Sequence, residues 1–168
     1  LFVCLGNICR SPTAHGILEK KIFDENLQNR IIVDSAGTGD WHIGRPPDPR
    51  ACKTALRHSY DLSGLRARQV NLDDFIEFDF ILAMDQQNLF DLQAMAPSSF
   101  TGRLELFLNY GSSSQKEVPD PYIGGEGGFE GVLSLIEDAV DGLFRHLIRK
   151  ILLFYIYKNL GNFEYAHL

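Results

Sequence analysis

Cys4 and Arg10 stand six positions apart in the stretch CLGNICRSP, directly after the apolar residues LFV. A thiol and a guanidinium, joined by a loop with glycine and asparagine but no proline, point to anion chemistry. Every backbone N–H from Leu5 to Arg10 is available to donate. Curled toward one point at the start of a helix, these donors form a cradle for an anion. Arg10 adds a planar fork matched to two oxyanion oxygens. The same positive field favours the Cys4 thiolate over the thiol. A thiolate beneath a bound tetrahedral dianion is a nucleophile aimed at phosphorus, with Arg10 holding the equatorial oxygens as charge redistributes.

Such a loop requires a strand that ends at Cys4 and a helix that begins soon after it. LFVC reads as a short buried strand. Ser11-Pro12 has the chemistry of an N-cap and a first helical position, and Ala14, Ile17, Leu18 and Ile22 follow at helical spacing. RIIVDSAG (Arg30–Gly37) predicts a second strand, followed by the Gly- and Pro-rich loop TGDWHIGRPPDP. Asp48-Pro49 starts a helix to about His58, LRARQV is a short extended piece, and Asn71 caps a small helix through Phe75 and Ile76. Phe78–Met84 predicts a buried strand, Asp85 caps a helix that Pro97 ends, and RLELFLNY predicts a fourth strand. The last helix carries Phe129, Val132, Ile136, Val140, Leu143 and Leu147 on one stripe. Strands alternating with helices predict an α/β fold. It is a single three-layer domain with a central four-stranded parallel sheet, helices on both faces and the Cys-x5-Arg loop after strand 1. That loop falls at the carboxyl edge of the sheet, where open α/β folds bind ligands. The expected domain spans 1–150, with an extension of unassigned role over 151–168.

The 168 residues, 45% apolar, suffice for one core, and 22 acidic against 16 basic residues argue against a nucleic-acid partner. Cys4, Cys9 and Cys52 form neither a disulfide framework nor a zinc-binding spacing, which fits a reducing compartment. The five histidines show no ligand spacing, so no metal or other cofactor is expected. No signal peptide is visible, and the longest apolar run, ILLFYIY (Ile151–Tyr157), is too short to span a bilayer. The expectation is a soluble, cytoplasmic monomer or weak dimer with no membrane partner. Trp41, in a Gly-rich loop between Asp40 and His42, is oddly placed for a core tryptophan and predicts a ligand wall. Cys52 is expected to pack, and the Asp73-Asp74 pair to supply first-turn helix charge.

CLGNICRSP resembles the phosphate-binding loop of the low-molecular-weight protein tyrosine phosphatases, and three further stretches match that family in its order. DSAGTGDWHIGRPPDPRA (Asp34–Ala51) resembles its variable substrate loop, AMDQQNL (Ala83–Leu89) its Met-Asp-x-x-Asn-Leu helix start, and DPY (Asp120–Tyr122) its general-acid loop. The resemblance implies hydrolysis of phosphotyrosine in tyrosine-phosphorylated proteins through a phosphocysteine, with inorganic phosphate as product. Carried over by residue, it makes Cys4 the nucleophile and Arg10 the phosphate clamp. Leu5, Gly6, Asn7, Ile8 and Cys9 complete the phosphate-binding loop. Ser11 hydrogen-bonds the thiolate, and Asp120 protonates the departing phenolate and then activates water. Asn7 holds a strained loop conformation with positive φ, with Ser35 and Asp85 as supports behind the loop. Trp41 and Tyr122 sandwich the substrate ring. Cys9 is implied as a reversible disulfide partner for Cys4.

Three rivals share parts of this pattern. Thioredoxin-coupled arsenate reductases resemble a relay with two further downstream cysteines, but FILAMDQQNLFDLQAMA (80–96) has none and Cys52 comes too early. Protein arginine phosphatases have threonine where this chain has Ile8. A non-catalytic phosphate-binding module needs neither thiol nor acid. The chain also departs from the family pattern. Ile123, not a second tyrosine, follows Tyr122, and Ser59 replaces the usual glycine at a positive-φ helix cap. ILLFYIYKNLGNFEYAHL runs past the family's usual end. Two readings of it stay open: a longer last helix that buries Phe154 and Tyr155 against a partner, or an unnatural extension of the reading frame.

Overall fold

Four short strands, β1 (Phe2–Cys4), β2 (Ser35–Gly37), β3 (Phe80–Ala83) and β4 (Arg103–Leu106), form one parallel sheet in the order β2-β1-β3-β4. The computed structural model describes residues 1–122 and 126–159, so Ile123 and residues 160–168 lie outside it. Alternation along each strand sends side chains to opposite faces. Phe2, Cys4, Leu82 and Met84 face one cluster, filled by Ile17, Leu18 and Ile22 of α1 (Arg10–Asp24) and by Leu133, Ile136 and Val140 of α5 (Glu126–Asn159). Val3, Ala36, Ile81 and Ala83 face the other, with Phe75 of α3 (Asp74–Glu77) and Leu92 of α4 (Gln86–Met95). α2 (Pro49–Arg57) adds Ala55 to the first layer. The fold is therefore the expected three-layer α/β domain. Burying a side chain such as Phe2, 1% exposed and edge-on to Phe107, contributes roughly 1.5–3 kcal/mol.

Several boundaries differ from the sequence reading. The second strand is only Ser35–Gly37, because β1 offers three residues to pair with and residues 30–33 lie beyond their reach. The fourth strand stops at Leu106, where β3 ends. Phe107–Tyr110 turns into a 3-10 helix that sinks Phe107 and Leu108 into the first cluster. α1 begins at Arg10 with Cys9 before it, so Ser11 is not its N-cap. Asp74 does stand in the first turn of α3, with Asp73 before it, but it is buried and takes both terminal nitrogens of Arg68 at 3.0 and 2.8 Å. Asp48 and Asp85 do cap α2 and α4, and Ser59 carries the expected positive φ, 65°. α5 runs unbroken past residue 150. Phe154 is 61% and Tyr155 41% exposed, so neither is buried among the described residues.

Candidate active site

The parallel sheet places the end of β1 beside the start of α1, and residues Cys4–Arg10 make the turn between them. The carbonyls of Cys4, Leu5, Ile8 and Cys9 point outward and accept from the amides of Thr38, Gly39, Asp48 and Thr13. With the carbonyls turned away, the amides turn inward. The Asn7 amide donates to Cys4 Sγ at 3.2 Å. Among the described residues, the amides of Leu5, Gly6, Ile8, Cys9 and Arg10 meet no protein acceptor. Gly37 permits this packing: a Cβ there would come within 2.8 Å of the Leu5 carbonyl oxygen.

Asn7 sets the curl. Its φ of 53° lies in the left-handed region that asparagine tolerates, and its side chain is fully occupied. Nδ2 donates to Ser11 Oγ at 2.9 Å and Ser35 Oγ at 3.0 Å, while Oδ1 accepts from the Arg68 amide at 2.9 Å. Ser11 Oγ stands 3.1 Å from Cys4 Sγ and 3.2 Å from the Ala36 carbonyl oxygen. One hydroxyl proton therefore has two acceptors, the sulfur when it is a thiolate and the carbonyl when it is a thiol. Buried His15 closes the network, with Nδ1 3.3 Å from Ser35 Oγ. Burial holds His15 below the usual imidazole range against the opposing pull of Glu19 and Asp34.

Arg10 is buried, with Nη1 donating to Asp85 Oδ2 at 2.6 Å and the Val118 carbonyl at 3.1 Å. Its Nη2 lies 3.8 Å from Asp120 Oδ2. Burial opposes the guanidinium's charge, but Cys4, Asp85 and Asp120 more than restore it and raise its pKa. Asp120 is held at the mouth by the Tyr122 amide, which donates to its Oδ1 at 3.0 Å. Cys9 is buried, and burial, followed by the negative charges of Asp48, Cys4 and Asp120, pushes its pKa up to about 12. Beside Cys4, Cys9 is a thiol at neutral pH.

Two walls rise from the loop. On one side His42 packs on Gly6, where an added Cβ would meet its ring at 2.9 Å; Trp41 adjoins His42 and is 60% exposed. On the other stands Tyr122, 53% exposed, with the Arg50 guanidinium 5.1 Å above its ring and 4.8 Å above that of Phe129. Asp48 fixes Arg50 by accepting from its Nε and Nη2 at 3.0 and 2.9 Å, and the Asp48 amide donates to the Ile8 carbonyl at 2.7 Å. Arg50 thus connects the phosphate loop to the Asp120 segment. Sequence reasoning missed it, and its one local signal was the Asp48-Pro49-Arg50 helix start.

Of the residues expected at the site, Cys4–Arg10 form the loop, Ser11, Ser35 and Asp85 bond to it, Asp120 faces Arg10, and Trp41 and Tyr122 adjoin it through His42 and Arg50. A thiol on the floor of an amide cradle, with a buried guanidinium in its wall and a carboxylate at the mouth, is the equipment of a cysteine-dependent hydrolase of phosphate esters. The sequence profile of the low molecular weight phosphotyrosine protein phosphatases matches residues 1–152. The chain belongs to that family. A low molecular weight phosphotyrosine protein phosphatase of Sus scrofa is 42% identical over 134 residues, 79% of this chain and 84% of that protein. The crystal structure of a protein tyrosine phosphatase from Entamoeba histolytica with Hepes in the active site superposes with a TM-score of 0.84. It is 38% identical, with 89% of this chain and 96% of that one covered. A Drosophila arginine phosphatase superposes with a TM-score of 0.81 at 35% identity, covering 86% of this chain and 94% of its own.

Proposed function

We propose that this chain hydrolyses phosphotyrosine in phosphoproteins by way of a phosphocysteine at Cys4. The observation that carries the reading is the convergence on one sulfur of the Asn7 amide at 3.2 Å and the Ser11 hydroxyl at 3.1 Å, at the base of a loop whose other amides meet no acceptor among the described residues. The amides bind the dianion's oxygens. Because Nη1 of Arg10 is committed to Asp85 and Val118, the Nε–Nη2 edge is the fork left for the phosphoryl group. Cys4 attacks phosphorus in line, and the S–P bond forms as the P–O bond to the phenol breaks. Asp120 gives its proton to the departing oxygen. In the second step the Asp120 carboxylate takes a proton from water, whose oxygen attacks phosphorus. The thiolate leaves with the Ser11 hydroxyl proton directed at it, and inorganic phosphate is released.

Trp41 and Tyr122 supply aromatic walls for an aryl ester. Ile8 supports phosphotyrosine over phosphoarginine, a distinction that the fold shared with the Drosophila arginine phosphatase does not make. A thiolate nucleophile suits a reducing cytoplasm. The test is turnover of para-nitrophenyl phosphate, a phosphotyrosine peptide and a phosphoarginine peptide by the wild type and Cys4→Ser. Activity on the first two, lost in Cys4→Ser, is expected, and preference for phosphoarginine would overturn the assignment. A wild type that binds phosphate without turnover would instead make the chain a binding module.

A further inference from the structure

The far end of α5 carries a feature that the hydrolase does not use. Ile151–Tyr157 are seven consecutive apolar residues, and at 100° per residue they go completely round the helix. Leu152, Phe154, Ile156 and Tyr157 are 55, 61, 53 and 54% exposed. A helix end that is apolar on every side has no stripe for a single partner helix to cover. From Gly142 to Asn159 the sequence holds Arg145, Arg149, Lys150 and Lys158 and no carboxylate, in a chain of net charge −6. Arg30 joins this group from outside the helix, its guanidinium 4.6 Å above the Tyr155 ring. Among the described residues no carboxylate pairs with Arg30, Arg149, Lys150 or Lys158.

We propose that this helix end docks on an anionic lipid surface. Cations beside exposed leucine, isoleucine and aromatic side chains suit the boundary between headgroups and acyl chains, where tyrosine rings also settle. Arg149 and Lys158 meet lipid phosphates while Leu152, Leu153, Phe154 and Ile156 enter the apolar layer. Among the described residues no helix is long and apolar enough to cross a membrane, so the contact is superficial. A second copy is the poorer occupant, since its own end brings the same cations and covers one side only. The geometry also leaves the site free. Lys150 lies 5.0 Å over the ring of Phe80, the first residue of β3, whereas Cys4 is the last of β1. In a parallel sheet these are opposite edges, so the cleft faces away from the lipid.

Cosedimentation of the full chain with vesicles tests this. One set is phosphatidylcholine alone, and the other contains roughly 30% phosphatidylserine, an anionic surface that attracts clustered cations. Binding to the anionic vesicles is expected, much weaker on the neutral ones and weakened by added salt. Arg149→Glu and Lys158→Glu should each reduce it at least about fivefold, the value of one cation near such a surface. Phe154→Asp should abolish it. All three variants should hydrolyse para-nitrophenyl phosphate like the wild type, which shows that they fold. Equal binding to both vesicles, no binding, or binding that survives Phe154→Asp overturns the proposal. So does a concentration-dependent dimer, lost in Phe154→Asp without any vesicle binding, which would make a second copy the occupant.

Discussion

Asp85 and Arg10 meet at 2.6 Å, and the same carboxylate caps α4 through its other oxygen, 2.7 Å from the Asn88 nitrogen. One side chain therefore fixes both a helix start and the direction of a buried guanidinium. With Nη1 held from behind, Arg10 presents its remaining edge in a single orientation, and little side-chain freedom is left to lose when an anion arrives.

Asp85→Ala should damage both functions. Loss of the cap costs about 1–2 kcal/mol, and Arg10 loses its closest partner. A fall in Tm of roughly 2–8 °C is expected for a domain of this size. Aryl phosphatase kcat/KM should drop at least about tenfold as the fork loosens. Thermal denaturation and steady-state kinetics measure the two; unchanged kcat/KM would mean that Asp85 serves the helix alone.

Asp120→Ala should slow release of ordinary phenols strongly and that of a very acidic phenol much less. General-acid assistance is worth about 10²–10⁴-fold and shrinks as the leaving group needs less protonation. A series of aryl phosphates of graded leaving-group acidity reads this directly. Equal losses across the series would remove Asp120 as the proton donor.

Arg50→Ala should resemble a weakened form of that variant. Arg50 covers the Tyr122 ring, and its Nη1 donates to the Tyr122 carbonyl at 3.4 Å, so its loss frees the segment that carries Asp120. The expected signature is a larger fall in kcat for poor leaving groups than for good ones. A uniform rise in KM would instead make Arg50 a binding residue.

Peroxide should inactivate the enzyme reversibly if Cys9 resolves the Cys4 sulfenic acid as a disulfide. Because Cys9 stays a thiol until about pH 12, its attack should accelerate steeply with rising pH. Oxidation also removes the Cys4 negative charge, one of the causes of that elevation. Cys9→Ser should turn over substrate yet fail to recover with dithiothreitol; recovery equal to wild type would leave Cys9 a packing residue.

His15 predicts a loss of stability in acid. Its folded pKa lies below the ordinary value of about 6.5, so between the two the unfolded chain binds more protons. Stability is full above about pH 6.5 and falls as pH drops toward the folded value, by at most about 1.4 kcal/mol per pH unit. Urea denaturation between pH 7.5 and 5.5 should show this slope, and His15→Gln should flatten it. An equal slope in both proteins would assign the effect to other groups.

The site was legible because its chemistry is local: Cys4, Asn7, Arg10 and Ser11 lie on one loop, and Asp48 and Asp85 announce themselves as helix caps. What escaped depended on distant partners. Arg50 acquires its role from Tyr122, 72 positions away. Asp74 reads as first-turn helix charge and is that, but its burial against Arg68 has no signal in the local sequence. Ser11 looks like a cap because serine before proline usually is one; only the family resemblance assigned its hydroxyl to the sulfur, 3.1 Å away. The strand ends were misjudged for a similar reason. Residues 30–33 and 107–110 have strand-like patterns, but a strand extends only as far as its neighbour pairs with it.

β1 is an inner strand, flanked by residues 35–37 on one side and 80–83 on the other. Arg10 finds its anchors 75 and 108 positions downstream, at Asp85 and Val118. Cys4 and Arg10 therefore precede in the chain, by 75 positions or more, the groups that hold Arg10 from behind. A chain released early would carry the cysteine without the pocket. Such distant closures are slow and are made late, so catalysis begins only when the whole domain has come together. Turnover is thus expected to report completed folding, since Arg10 is aimed only once both distant anchors are in place.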